Sequence, residues 1–389
     1  FIKKFNKKRD IILISSLLVN LLILFFFKYA NFFSSQFFYI FNLKKNFLFE
    51  NIILPVGISF YIFQSFTYVL DIYKNKINPE ENPVNYFTFI AFFPQLVAGP
   101  IERASSLLPQ FRELKKLNPN QIYKGIKIII TGLFLKIFIA DNIGISVDQI
   151  FNNYQNFSSS TLLLGAFGFS IQIYCDFSGY SLIAIGIAKI IGFNLTKNFN
   201  SPYFSISLKE FWKRWHISLS TFFRDYLYIP LGGNKRSVAI KYRNLILTFL
   251  ASGIWHGANW TFILWGVLHG LFLILQQVLK INLNKLFSWA LTMNIVFFLW
   301  ILFRSESIID FYNYVYIIFS TKIGIPEMGR SIFIYAIYFL IVDLISTKYK
   351  KSSETWLSSI VIEYSLLSIM FLLVLGSIQG SRNFMYFQF

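Results

Sequence analysis

The chain has 389 residues, of which 55% are hydrophobic and only 14% charged, with a mean hydropathy of +0.55. Water-soluble domains carry roughly a quarter charged residues, so these values exclude a soluble globular protein and point to an all-α integral membrane protein. The net charge of +18 does not imply nucleic acid. Its lysines and arginines gather in short patches between apolar runs, as cytoplasmic loops do, with attraction to membrane lipid as a secondary effect.

Taken in chain order, the basic patch Lys3 to Arg9 places the start inside, so span 11–30 runs outward and span 52–70 returns. The stretch Phe87 to Gly99 is short and holds Pro94, which suits a re-entrant segment better than a crossing. Ile126 to Ala140 crosses outward. Residues 160–192 are apolar but interrupted at Cys175-Asp176-Phe177-Ser178-Gly179, and an aspartate there needs a polar cavity or a partner group.

The segment FWKRWHISLSTFFRDY (211–226) places Phe211, Trp212, Trp215, Leu219, Phe222, Phe223 and Tyr226 on one helical arc, with Lys213, Arg214, Arg224 and Asp225 opposite. That pattern predicts a single helix lying in the membrane surface. From Leu245 to Val278 the chain re-enters the membrane, broken at GIWHGANW (253–260), and further spans follow near 287–303, 311–319, 331–345 and 357–375. The total is nine to eleven membrane segments.

Only three histidines occur. His256 lies in an apolar run between Trp255 and Gly257 and is either a satisfied core residue or the lining of a functional cavity. Gly253 and Gly257 favour the second by allowing a broken helix and close approach by a substrate. Imidazole is also the side chain suited to proton transfer near neutral pH. His216, taken alone, reads as an interfacial residue. His269, thirteen positions past His256, points elsewhere on a continuous helix and reads as structural. The single Cys175 excludes an intrachain disulfide, and well-separated histidines with few acids argue against a metal site.

Several long motifs in order carry a resemblance. FKYANFF (27–33), FFPQLVAGPIER (92–103), YCDFSGYSLIAIG (174–186), FWKRWHISLSTFFRDYLYIPLGG (211–233), ASGIWHGANWTFILWGVLHG (251–270) and the terminal FMYFQF (384–389) resemble the membrane-bound O-acyltransferase family, in its polysaccharide O-acetylating bacterial branch. The resemblance implies one membrane domain over 1–389, lacking the usual amino-terminal segment and built as a helix bundle around a central funnel. It implies His256 as catalytic base and His216 as second catalytic histidine, with Trp212, Arg214, Arg224, Asn259 and Asp176 around donor and substrate. It further implies acetyl-CoA or another acyl thioester as donor substrate, no bound cofactor, and a bacterial inner-membrane location. The acceptor would be a cell-surface polysaccharide such as alginate or peptidoglycan. The terminal motif suggests that Tyr386 carries the acetyl group to an extracytoplasmic partner of the SGNH-hydrolase type. D-alanyl transfer to teichoic acid and transport of a lipid-linked sugar are the rival expectations.

Overall fold

Short polar caps divide the chain into helices. In a computed structural model, which describes residues 8–42, 55, 57–96, 99–280, 283–349 and 360–378, every regular element is helical. The helices are α1 (Arg9–Leu24), α2 (Ala30–Ile40), α3 (Ile58–Tyr73), α4 (Pro83–Ile90), α5 (Phe93–Leu96), α6 (Ala104–Phe111), α7 (Pro119–Leu133), α8 (Asn142–Asn152) and α9 (Ser159–Ile190). They continue with α10 (Leu208–Arg214), α11 (Ile217–Phe223), α12 (Val238–His256), α13 (Trp260–Leu279), α14 (Lys285–Arg304), α15 (Ile308–Ser320), α16 (Ser331–Tyr349) and α17 (Ile360–Ser377). Short π-helical turns at Phe25–Tyr29 and Phe134–Asp141 join α1 to α2 and α7 to α8. Starts follow the expected chemistry: Asn118, Ser237, Asn259, Asn284 and Ser307 each accept a first-turn backbone N–H.

Among the described residues, five helical stretches are long and apolar enough to cross a bilayer: Arg9–Ile40, Pro119–Asn152, Ser159–Ile190, Trp260–Leu279 and Lys285–Arg304. This multi-pass membrane architecture agrees with the sequence, although the expected nine to eleven segments include pieces too short to span alone, such as Ile308–Ser320. Between Phe87 and Gly99 the chain is divided into α4 and α5, with Pro94 in the first turn of α5.

Two expectations are corrected. Residues 160–192 are not interrupted near Asp176, because α9 runs unbroken for 32 residues, roughly 48 Å at 1.5 Å per residue. The aspartate needs no break because Lys136, on the π turn after α7, reaches its carboxylate at 2.7 Å and that of Asp141 at 2.5 Å. Gly179 likewise serves packing. A Cβ there would stand 2.7 Å from the Gly132 carbonyl oxygen, and Gly186 meets Gly125 in the same way one heptad along. Small residues thus let α7 and α9 run backbone against backbone.

The second correction concerns 211–226, which is two short helices and not one surface helix. The chain turns at Trp215-His216, where His216 adopts φ 40°, ψ 57°. Phe211, Trp215, Leu219, Phe222 and Phe223 are all buried. The apolar arc is real, but the protein interior covers most of it on both sides of the turn.

The buried Lys136 ties two carboxylates from two helices, and removing the cation strands both. Lys136→Met is expected to cost about 3–5 kcal/mol, seen as a lowered thermal unfolding midpoint in detergent. Asp176→Asn leaves Lys136 paired with Asp141 and is expected to cost distinctly less in the same measurement.

Candidate active site

GIWHGANW is a helix end inside the protein. α12 stops at His256, Gly257 is extended, and Asn259 caps α13 by accepting the Thr261 N–H at 3.1 Å. The helices on either side of the break pack through glycine. A Cβ on Gly253 would collide with the Phe262 carbonyl oxygen, and one on Gly266 with that of Phe249. Gly253 and Gly257 therefore make room for α13 and the Phe262 ring, where the sequence suggested room for a substrate.

A helix ending in an apolar interior leaves its last carbonyls without intrahelical partners. Lys28, on the π turn after α1, donates through Nζ to the carbonyls of Trp255 at 2.7 Å and His256 at 3.1 Å. Its neighbour Tyr29 donates its hydroxyl to the Ile254 carbonyl at 2.7 Å. A cation also suits the negative end of the helix dipole. The two residues fix the height and direction of the α12 terminus.

The His256 ring is buried in an aromatic box. It meets Trp255, Trp265 and Phe303 edge-on, with centroids 5.0, 5.1 and 5.3 Å away. His216, fully buried, packs against Phe177 at 4.6 Å and against Trp255 at 5.9 Å. Trp255 therefore touches both histidines, and the turn at 215–216 carries His216 into the interior. His269 is one ring further out, 4.6 Å from Trp265, with Nδ1 accepting from Trp212 Nε1 at 3.3 Å. On a continuous helix His269 would point away from His256, but the break at Gly257 removes that constraint. Its contact with Trp212 still gives it a packing partner.

Three indole nitrogens in this region, on Trp255, Trp265 and Trp300, are buried without a hydrogen-bond partner among the described residues. Trp265 stacks on Trp300 at 5.9 Å. A buried unpaired donor costs roughly 1–3 kcal/mol, so three of them near two histidines call for an explanation by function. An apolar cavity of about 680 Å³, lined by Tyr29, Phe63, Phe222, Trp255, Gly257 and Ala258 among others, reaches the same tryptophan from the α1–α3 side.

The remaining candidates scatter. Asn259 is committed at both ends, its Nδ2 donating to the Glu306 carbonyl at 2.8 Å. Arg214 pairs with Glu210 at 2.6 Å. Arg224 is mostly exposed and pairs with Asp225, which Arg103 also holds. Burial alone would raise the Asp225 carboxyl, but the two guanidinium groups outweigh it and hold it below the usual range. Lys74, Lys76 and Arg103 crowd the Tyr226 ring close by, so Arg224 belongs to a basic cluster. Asp176 belongs to the Lys136 triad, while its neighbour Phe177 packs on His216. Tyr386 lies outside the described residues. Among the described residues, no group of three or more His, Cys, Asp or Glu is placed to hold a metal ion.

Sequence reading missed Lys28, Trp265 and Trp300. Lys28 had a signal, since a lysine inside an apolar run is costly unless something uses it; the indoles had none. Lys28→Met is expected to uncap α12 and lower stability by about 1–3 kcal/mol, with Lys28→Arg recovering part of the loss. Thermal unfolding in detergent, followed by tryptophan fluorescence because Trp255 is adjacent, measures both.

Residues 80–305, which hold both His216 and His256, match the membrane-bound O-acyltransferase family. Over 304 residues, 76% of this chain and 58% of the relative, the sequence is 42% identical to a Pseudomonas aeruginosa protein described as "Probable alginate O-acetylase AlgI". It is 38% identical over 336 residues to the peptidoglycan O-acetyltransferase of Helicobacter pylori, covering 78% of this chain and 63% of that one. Similarity to the teichoic acid D-alanyltransferase of Bacillus subtilis is lower, 28% over 254 residues, or 62% of this chain and 63% of that one. The chain spans about three-fifths of the length of these relatives. A family match over more than half the sequence, with relatives 38% and 42% identical over three quarters of it, places this chain in the membrane-bound O-acyltransferase family.

Proposed function

We propose that the protein is a membrane O-acetyltransferase that passes an acetyl group from a cytoplasmic thioester, acetyl-CoA, toward hydroxyls of an exported cell-surface polysaccharide. The observation that carries this reading is the convergence of His256 and His216 on the same Trp255 ring, at 5.0 and 5.9 Å, in an interior lined with unpaired indole donors. The names of the relatives, alginate and peptidoglycan O-acetylating proteins, support the acceptor class.

In this mechanism a neutral His256 acts as general base. It removes the proton of the attacking hydroxyl as oxygen bonds to the thioester carbon. The carbonyl oxygen gains negative charge, and preorganised N–H donors stabilise it best where water is excluded. The indole N–H groups of Trp265 and Trp300 suit that task better than Asn259, whose amide is already engaged. Collapse breaks the carbon–sulfur bond, and the proton on His256 passes to the departing thiolate. His216 orients the reacting groups. The basic cluster of Arg224, Arg103, Lys74 and Lys76 is the natural contact for donor phosphates, while Arg214 and Trp212 support the site through the helix that leads into His216.

The acetyl group then crosses by way of Tyr386, as a phenolic ester, to an extracytoplasmic SGNH-type partner that acylates the glycan. The membrane is the bacterial inner membrane. D-alanyl transfer is the second reading, favoured only by the more distant relative. Labelled acetyl-CoA incubated with membranes separates the two, since a D-alanyl enzyme leaves that label untouched.

At matched protein level and insertion, His256→Ala is expected to lower O-acetyl ester on the cell-surface glycan by about 10²–10⁴-fold. A pure transporter predicts unchanged ester in the same variant. Tyr386→Phe is expected to abolish glycan acetylation while acetyl-CoA hydrolysis by membranes persists, and unchanged glycan acetylation would exclude the relay.

A further inference from the structure

The hydrogen bonds behind His216 assign a proton. Asn198 is buried, and its Oδ1 lies 3.1 Å from His216 Nδ1, 2.9 Å from Ser218 Oγ and 3.3 Å from the Ser218 backbone nitrogen. A backbone N–H only donates, so the amide atom facing it is the oxygen and not the nitrogen. The other end of the amide agrees, because Nδ2 donates to Ser181 Oγ at 3.2 Å. The Ser218 hydroxyl receives the Ile101 N–H at 3.0 Å, which leaves its own proton for Asn198 Oδ1. Every neighbour thus holds Oδ1 as an acceptor. The bond to His216 closes only when Nδ1 carries the imidazole proton, so Nε2 is left with a lone pair. That Nε2 is buried and has no hydrogen-bond partner among the described residues.

The backbone keeps this arrangement in register. The Ile217 N–H donates to the Asn198 carbonyl at 2.8 Å, and the Asn200 N–H to the Arg214 carbonyl at 2.9 Å. These two bonds hold His216 in its left-handed conformation, which a non-glycine residue keeps only when its surroundings impose it. The segment before α10 and the turn after it are one unit, and Asn198 is its polar centre.

We propose that Asn198 is a positioning residue that locks His216 in the Nδ1–H form, so that His216 enters the reaction as a hydrogen-bond acceptor through Nε2. The inference rests on the acyl-transfer reading for its consequence but not for the proton assignment. A His216 locked in this form does not donate to the developing oxyanion while neutral. That separates its role from those of Trp265 and Trp300 and explains why donors and acceptor sit on different side chains around the same box.

With only three histidines in the chain, ring-nitrogen spectroscopy is practicable. Protein carrying ¹⁵N-labelled histidine in detergent, with the His216 signals assigned by their loss in His216→Gln, is expected to show Nδ1 protonated and Nε2 bare. Asn198→Leu removes the acceptor and is expected to shift His216 toward the Nε2–H form and to slow acetyl transfer by roughly 10²-fold. Asn198→Asp keeps an oxygen opposite Nδ1 and is expected to retain the Nδ1–H signature and transfer within about threefold of the unaltered protein. A purely structural asparagine would predict equal loss in both variants. An Nε2–H signature for His216 in the unaltered protein overturns the proposal, and so does full transfer in Asn198→Leu. The ring spectrum requires no turnover, so a protein inactive toward acetyl-CoA but showing the Nδ1–H form would count against the function and not against this assignment.

Discussion

A helix that ends within an apolar interior must satisfy its terminal carbonyls there, and the structure meets this constraint at α12 with one ammonium group. Lys28 Nζ bonds the carbonyls of Trp255 and His256, and Tyr29 adds a third bond one residue earlier. Because those groups are satisfied, the chain is free to leave the helix directly after His256, extend through Gly257 and start α13 under the Asn259 cap. The close approach of α12 and α13 at Gly253 and Gly266 then brings Trp265 against the His256 ring. A lysine some 230 positions away thus sets where the histidine stands.

The interior around that point divides its labour by residue type. Aromatic rings fill the volume and exclude water, which strengthens any electrostatic contact made inside. Indole nitrogens supply donors that the fold itself does not use, and His216 faces them from a turn held by Asn198. Lys28 is the charge at this point, its Nζ 5.7 Å from the Trp255 ring; the Lys136 triad fastens the π turn after α7 to α9, and the arginine–aspartate cluster around Tyr226 stands beyond α11. Asp176 therefore finds its explanation in architecture. Arg224 stands beside the cations gathered around Tyr226.

Composition and helical periodicity made the membrane class and most helix positions legible, because apolar runs and Asn or Ser caps act locally. The break at GIWHGANW was legible for the same reason: two glycines and an asparagine within seven residues disfavour a continuous helix. What failed did so where distant residues decide the outcome. Asp176 looked like a helix breaker because its partner Lys136 is forty positions away. The 211–226 segment looked like a surface helix because periodicity reports an apolar face but not what covers it, nor the left-handed turn at His216. His269 was set apart by an angle that holds only on an unbroken helix. Lys28 and Asn198 were invisible for the complementary reason, since each acts through hydrogen bonds to a backbone or ring that folding brings near.

The central claim is that His216 and His256 work as one unit across Trp255. A double-mutant cycle on acetyl transfer from labelled acetyl-CoA, comparing His216→Ala, His256→Ala and the double variant at equal protein level, tests it most directly. Residues acting as a unit give strongly non-additive losses, so the double variant should be scarcely slower than the worse single variant. Losses that multiply independently, or a His256→Ala protein that transfers acetyl at the unaltered rate, would contradict the account.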